Sequence, residues 1–247
     1  TLVVASSHSG NTEETLSAYQ EARQHNVPRM VVCTGGRLAE MANEDGVTLW
    51  QFEHHGQPRS AVGFSFGLLL SLLARLGLVT GQEKVIQNAV SAMQAQQEKI
   101  EIQQPMLNNP AKEMALRFSG KFPVIIGADL LAPVARRWKG QINELAKAWA
   151  QFEFLPEADH NTLAGLMNPD SLQSHMMALF LRSESTHPRN LLRLDLTREA
   201  CMVSGMTTDF YDAPGSSRMA QMWSALQFGD YMAYYLAIAY GADPTEV

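Results

Sequence analysis

Short apolar runs and amphipathic stretches alternate along most of the chain. Residues 2–5 (LVVA), 29–34 (RMVVCT) and 47–52 (VTLWQF) are the first such runs, and apolar positions recur at helical spacing in 12–24 and 37–43 between them. Runs of this length, bounded by Gly and small polar residues, predict strands, and the 3.6-residue spacing predicts helices. After Pro58 comes a long apolar segment, 61–79, then a Gln-rich helical stretch at 83–102, then QQPMLNNP at 103–110, which has linker composition. The alternation resumes with strands at 122–128, 151–155, 176–181 and 207–211, and helices at 130–148, 187–203 and 217–240. Strands alternating with helices predict parallel sheets covered on both faces, an α/β fold of doubly wound, three-layer αβα type. Two such sets predict two domains, 1–118 and 119–247. The first set opens directly on the strand before its loop, so a preceding strand and loop, and a tail after Val247, are expected in the full protein.

Segment 61–79 raises the question of a membrane span. Gly63, Ser65, Gly67, Ser71 and Arg75 interrupt it and no second such segment follows, so a buried helix of a soluble core is expected. Composition agrees: the 247 residues are 46% hydrophobic and 18% charged, the profile of a globular protein. A net charge of -6 without a Lys/Arg cluster argues against nucleic acid or an anionic membrane as partner. Cys33 and Cys201 are far apart and neither belongs to a CxxC pair. They read as buried thiols of a reducing cytoplasm, not as a disulfide or zinc ligands. His54 and His55 are adjacent on an extended segment and would point to opposite faces, which rules out a metal pair.

Chemistry enters at residues 7–15, SHSGNTEET, where the first strand meets a helix. Ser7, Ser9 and Thr12 offer hydroxyls, and Gly10 lets backbone approach an anion closely. The helix start adds free N–H groups and the positive end of its dipole. Glu13 and Glu14 complement that dipole and need no catalytic role. A plain N-cap at Thr12 explains part of the same pattern. GxxxxGK[ST] is absent, so the loop is not a P-loop.

Ser-x-Ser-Gly-x-Thr-x-Glu-Thr after a strand resembles the sugar isomerase (SIS) domain, a family of phosphosugar-binding, flavodoxin-like α/β folds. Gly35-Gly36-Arg37-Leu38-Ala39 resembles the matching turn of that family. Gln57-Pro58-Arg59, 136–147 (RRWKGQINELAK), 156–165 (PEADHNTLAG) and 226–247 (LQFGDYMAYYLAIAYGADPTEV) resemble the bifunctional phosphoglucose/phosphomannose isomerase group. The order is kept across nearly the whole chain.

The resemblance implies a cytoplasmic enzyme of carbohydrate metabolism that interconverts glucose or mannose 6-phosphate with fructose 6-phosphate. Moving a proton between C1 and C2 through a cis-enediol(ate) requires a base, a cation near the developing oxyanion and an acid for ring opening, and no metal or cofactor. Carried over, Glu144 is the base, Arg59 the cation and His160 the ring-opening acid. Ser7, Ser9 and Thr12 hold the phosphate, with Gly10, Gly35 and Gly36 as further substrate contacts. In related isomerases the histidine comes from the partner subunit, which implies a homodimer with shared active sites. The family's C-terminal ring-opening lysine has no counterpart up to Val247, and Lys147 is not it. Two rivals remain: a non-catalytic phosphosugar sensor on the same fold, and an isomerase of another phosphosugar.

Overall fold

The computed structural model describes residues 1–246, in two compact units that part between Thr80 and Gly81. In the first unit β1 (Val3–Ser6), α1 (Glu13–Gln24), β2 (Arg29–Cys33), α2 (Gly36–Glu44) and β3 (Thr48–Gln51) lead through a 3-10 turn, Pro58–Ser60, to α3 (Val62–Arg75). The three strands form a parallel sheet in the order β1-β2-β3, with Ala5 beside Val31 and Val31 beside Leu49. Strand alternation then sorts the side chains by face. Ala5, Val31 and Cys33 pack with Tyr19 of α1 and Leu38 and Met41 of α2, while Met30 and Val32 pack with Leu72 of α3. Asp45 closes the α1–α2 side by binding Tyr19 Oη at 2.9 Å, Arg29 at 2.8 Å and Arg23 at 2.9 Å.

The apolar segment 61–79 does not become the expected buried helix. Only Leu72 of α3 is buried, and Phe64, Phe66, Leu73, Leu76 and Leu78 are exposed. A three-stranded sheet accepts one stripe of a helix, here Leu68 and Leu72, whereas the apolar residues of this segment run all round it.

The second unit begins with α4 (Gln82–Ile100) and α5 (Pro110–Phe118), followed by β4 (Phe122–Ala128), α6 (Ala132–Ala146), β5 (Gln151–Leu155) and the short α7 (Glu157–His160) and α8 (Asp170–Gln173). It ends with β6 (Met176–Arg182), α9 (Pro188–Val203), β7 (Thr207–Asp212) and α10 (Arg218–Tyr240). All four strands are parallel, in the order β5-β4-β6-β7. Ile125, Leu179 and Tyr211 face α5, α6 and α10, whereas Val124, Ile126 and Phe180 face Leu194 and Cys201 of α9. This unit is therefore a three-layer αβα sandwich. Its tightest helix contact is α6 on α10: a Cβ at Gly229 would lie 2.2 Å from Trp138 Nε1, and that nitrogen donates to Ala225 O at 2.8 Å.

The α/β class and the parallel sheets follow the alternation. The boundary between compact units does not fall near residue 118. Gln96 of α4 donates to Ser224 O at 2.7 Å and accepts from Tyr211 Oη at 2.9 Å, which ties α4 to the second sheet. The linker-like 103–110 is ordered too, since Asn109 caps α5 by accepting from Ala111 N and Lys112 N. Both cysteines are buried and free, and burial pushes the Cys201 thiol up to about 11. Among the described residues no helix is long and apolar enough to cross a membrane.

Candidate functional site

The Ser7–Thr12 loop leaves the carboxyl end of β1 and turns into α1. Thr12 sits at the N-cap position of α1 with extended backbone, yet no side chain caps the helix. Its Oγ1 instead shares a 2.8 Å hydrogen bond with Ser7 Oγ, which also accepts from Gly10 N at 3.1 Å. Ser9 Oγ accepts from Asn11 N at 3.2 Å. Ser7 is buried and acts as an internal strut, whereas Ser9 and Thr12 are exposed at the loop surface. A hydroxyl carries one hydrogen. The Ser7–Thr12 pair uses one of its two, so the three hydroxyls keep two hydrogens for an anion, beside amides that no side chain caps.

The three glycines lie where this loop meets the β2–α2 turn. Gly10 has φ +69°, and a Cβ there would lie 1.8 Å from Gly35 O. A Cβ on Gly36, at φ +70°, would lie 2.3 Å from Ser9 O. Leu38 N donates to Gly10 O at 2.9 Å, Arg37 N to Asn11 Oδ1 at 2.9 Å, and Thr34 Oγ1 to His8 O at 2.7 Å. Gly10 and Gly36 thus weld two backbone turns together, which gives them a structural reason to be glycine independent of any ligand, whereas a Cβ at Gly35 would meet only Gln51 Nε2 at 3.8 Å.

Strand order in the second unit reverses between β4 and β6, a topological switch point at which α/β sheets commonly bind ligands beyond the strand ends. The loop 183–187 (SESTH), between β6 and α9, again carries hydroxyls ahead of a helix. There the position is filled from within the chain. Asp129, just beyond β4, accepts from His187 N at 2.8 Å and from Asn190 Nδ2 at 2.7 Å, and His187 Nδ1 accepts from Arg189 N at 3.2 Å. A carboxylate already occupies this helix start, in contrast to α1.

Arg59 lies half-buried in the 3-10 turn of the first unit, the unit that holds the Ser7–Thr12 loop. Between turn and loop stand two histidines that sequence reasoning did not assign to the site. His8 Nε2 and His54 Nδ1 share a hydrogen bond at 3.0 Å, and His54 Nε2 meets Ser60 Oγ at 3.3 Å. Burial, followed by the charge of His54, lowers the affinity of His8 for a proton. The sequence signal was available in a histidine inside the hydroxyl loop and another four residues before Pro58.

Glu144 and His160 belong to the second unit, and both are exposed. Helix α6 starts beyond the carboxyl end of β4 and returns along the sheet, so Glu144, near its last turn, lies toward the edge where β5 begins. His160 follows the other end of β5. Glu144 stands 12 residues into α6, which at a rise of about 1.5 Å per residue places it about 18 Å from the helix start. One chain therefore sets its Glu144 and His160 at opposite edges of the same sheet. A cleft of about 590 Å³ along β7 holds neither residue; its Arg117 is ion-paired with Glu113 and Asp209. Among the described residues no three His, Cys, Asp or Glu side chains gather in a way that could hold a metal ion.

Residues 107–247 match the family described as the bacterial phospho-glucose isomerase C-terminal SIS domain. Fold and match together define an SIS-domain protein. A bifunctional phosphoglucose/phosphomannose isomerase of Caldicellulosiruptor bescii is 39% identical over 250 residues, spanning 100% of this chain and 73% of that protein. The chain belongs to the bifunctional phosphoglucose/phosphomannose isomerase family, a family of intramolecular oxidoreductases. A D-glucosamine-6-phosphate 4-epimerase of Sulfolobus acidocaldarius is 36% identical over 164 residues, spanning 66% of this chain and 50% of that protein. The crystal structure of a glucose-6-phosphate isomerase like protein from Thermus thermophilus shares the fold, with a TM-score of 0.66 at 19% identity over 99% of this chain and 82% of that one.

Proposed function

We propose that this chain interconverts glucose 6-phosphate or mannose 6-phosphate with fructose 6-phosphate through a cis-enediol(ate). The observation that carries the reading is the Ser7–Thr12 loop, where two hydroxyl hydrogens are left uncommitted beside a helix start that no side chain caps. Family membership supplies the reaction class, and the phosphate anchor leaves C1 and C2 of the sugar to be presented to a base. Glu144 removes the proton from one carbon and returns it to the other, Arg59 stabilises the oxyanion, and His160 handles the proton at the ring oxygen. C2 is planar in the intermediate, so returning its proton to either face yields glucose or mannose configuration.

Placement of Glu144 and His160 at opposite sheet edges supports a homodimer in which each site takes its histidine from the partner. The parallel β1-β2-β3 sheet, flanked by helices on both faces, supports a first α/β unit of SIS type that ends at Thr80 and not at residue 118. The family match itself rests on 107–247.

A coupled assay of the purified protein with glucose, mannose and glucosamine 6-phosphates and arabinose 5-phosphate tests the reading. Turnover of glucose and mannose 6-phosphates to fructose 6-phosphate is expected. Turnover of the amino sugar alone would favour the second reading, which the epimerase relative motivates. Binding of fructose 6-phosphate without any turnover would make the chain a sensor. Glu144→Gln should lower turnover on the order of 100- to 10,000-fold and leave fructose 6-phosphate affinity nearly intact.

A further inference from the structure

We propose that His54 is a positioning residue that locks the Arg59 turn to the phosphate loop through a directed hydrogen-bond chain, His8 to His54 to Ser60. The inference rests on the isomerase reading above and adds a role for a residue outside the set Glu144, Arg59 and His160.

The direction follows from counting hydrogens. Ser60 Oγ donates its single hydrogen to Gln57 O at 2.7 Å. At His54 Nε2, 3.3 Å away, it can only accept, so His54 carries its proton on Nε2. His54 Nδ1 is then a bare acceptor, and the 3.0 Å contact is a donation from His8 Nε2–H. Both tautomers are thereby set, and every bond of the chain runs the same way, from the phosphate loop to the turn that holds Arg59.

The surroundings fix His54 on its other sides. Its ring meets Phe64 edge-on at 5.6 Å, and Phe64 stacks on Phe52 at 5.2 Å. Gly56 lies under the ring: a Cβ there would sit 2.9 Å from His54 Cε1 and 3.0 Å from Ser60 Oγ. His8 is itself a member of the hydroxyl loop, between Ser7 and Ser9. A shift of the loop is thus transmitted to the residue next to Arg59 through two hydrogen bonds across a packed ring. Catalysis makes such a link consequential, because a cation about 1 Å out of place can cost on the order of 100-fold in rate while the phosphate stays bound.

The test is a double-substitution cycle on the full chain with fructose 6-phosphate, joining His54→Ala with Arg59→Ala. His54→Ala should lower kcat by about 10-fold or more with KM within about twofold, since the hydroxyls that hold the phosphate are untouched. In the Arg59→Ala background the same change should add almost nothing, because His54 acts through Arg59. His54→Gln, whose amide can accept from His8 and donate to Ser60, should recover most of kcat and keeps the test open if the alanine variant folds poorly. Losses that multiply in the double variant, or a loss confined to KM, would overturn the positioning role. A wild-type chain that binds fructose 6-phosphate but turns nothing over would overturn the isomerase reading and this proposal together, and is recognised from the wild type alone.

Discussion

Replacing Gly10 with alanine should damage the Ser7–Thr12 loop far more than the same change at Gly46 damages its own turn, although the two glycines have nearly the same backbone conformation. Gly46 has φ +63° and nothing within 4 Å of an added Cβ, so Gly46→Ala carries only the left-handed penalty of about 1–2 kcal/mol. Gly10, at φ +69°, carries that penalty and a Cβ 1.8 Å from Gly35 O. No flexible side-chain end is available to yield there, so the β2–α2 turn must move, at a cost of about 1–3 kcal/mol on the scale of overpacked sites. The shift also strains the donation from Leu38 N to Gly10 O, worth about 1 kcal/mol. The expected loss is about 3–6 kcal/mol for Gly10→Ala against about 1–2 kcal/mol for Gly46→Ala. Urea unfolding of both variants measures the difference, and hydrogen exchange at the Leu38 amide shows whether the damage is local to the weld. Calorimetry with fructose 6-phosphate should show a matching loss of affinity only in Gly10→Ala. Equal destabilisation of the two variants, or an unchanged affinity in Gly10→Ala, would refute the idea that the loop is shaped by its contact with Gly35.

Ser9→Ala removes an exposed hydroxyl with an uncommitted hydrogen and should weaken fructose 6-phosphate binding about 10-fold or more, the scale of a hydrogen bond to a charged group; stability should stay within about 0.5 kcal/mol in a melt. Glu144→Gln and His160→Ala should each be inactive alone, and mixing them with subunit exchange should restore measurable turnover, whereas a mixture that stays silent would count against shared sites. Hydrogen bonding from Arg29, first among its causes, holds the Asp45 carboxyl below its ordinary range. The unfolded chain therefore takes up that proton more readily, and the stability Asp45 supplies is complete above its ordinary pKa and lost as pH falls through the folded value. Acid unfolding followed by circular dichroism should be shallower in Asp45→Asn below about pH 4.

Much of the fold could be read directly because parallel α/β architecture writes itself locally. Runs such as 29–33 and 122–128 are apolar on both faces, since each sheet is covered on both sides, and the helices between them keep a single polar face. What failed was inference from composition over longer stretches. Segment 61–79 is apolar enough for a core, but burial depends on how much sheet is offered, and α3 has a stripe of one small sheet. QQPMLNNP reads as a linker because Gln, Asn and Pro favour loops, yet Asn109 there is a helix cap. Nothing in that string reveals that Gln96, further back, reaches Ser224 and Tyr211 on the second sheet.

The site divides along the same line. The proposed phosphate loop is a local object: hydroxyls, a glycine and a helix start lie within six residues, so the sequence displays those parts and the structure adds how they are braced. The glycines show the limit even there, because a Gly beside an anion cradle suggests contact with the anion, whereas Gly10 and Gly36 face backbone of the neighbouring turn. The proposed base and acid are non-local. Glu144 on an exposed helix turn and His160 in a short helix look alike to any local rule, each an exposed polar side chain with no strong signal of its own. Only resemblance singled them out, and the structure then sets them at opposite edges of a sheet. A carboxylate and an imidazole that act on the same sugar must both come within hydrogen-bond reach of it. Residues held apart by the width of a sheet in one chain meet that condition when two chains contribute one residue each, which makes subunit exchange between Glu144→Gln and His160→Ala the most direct question to ask of this fold.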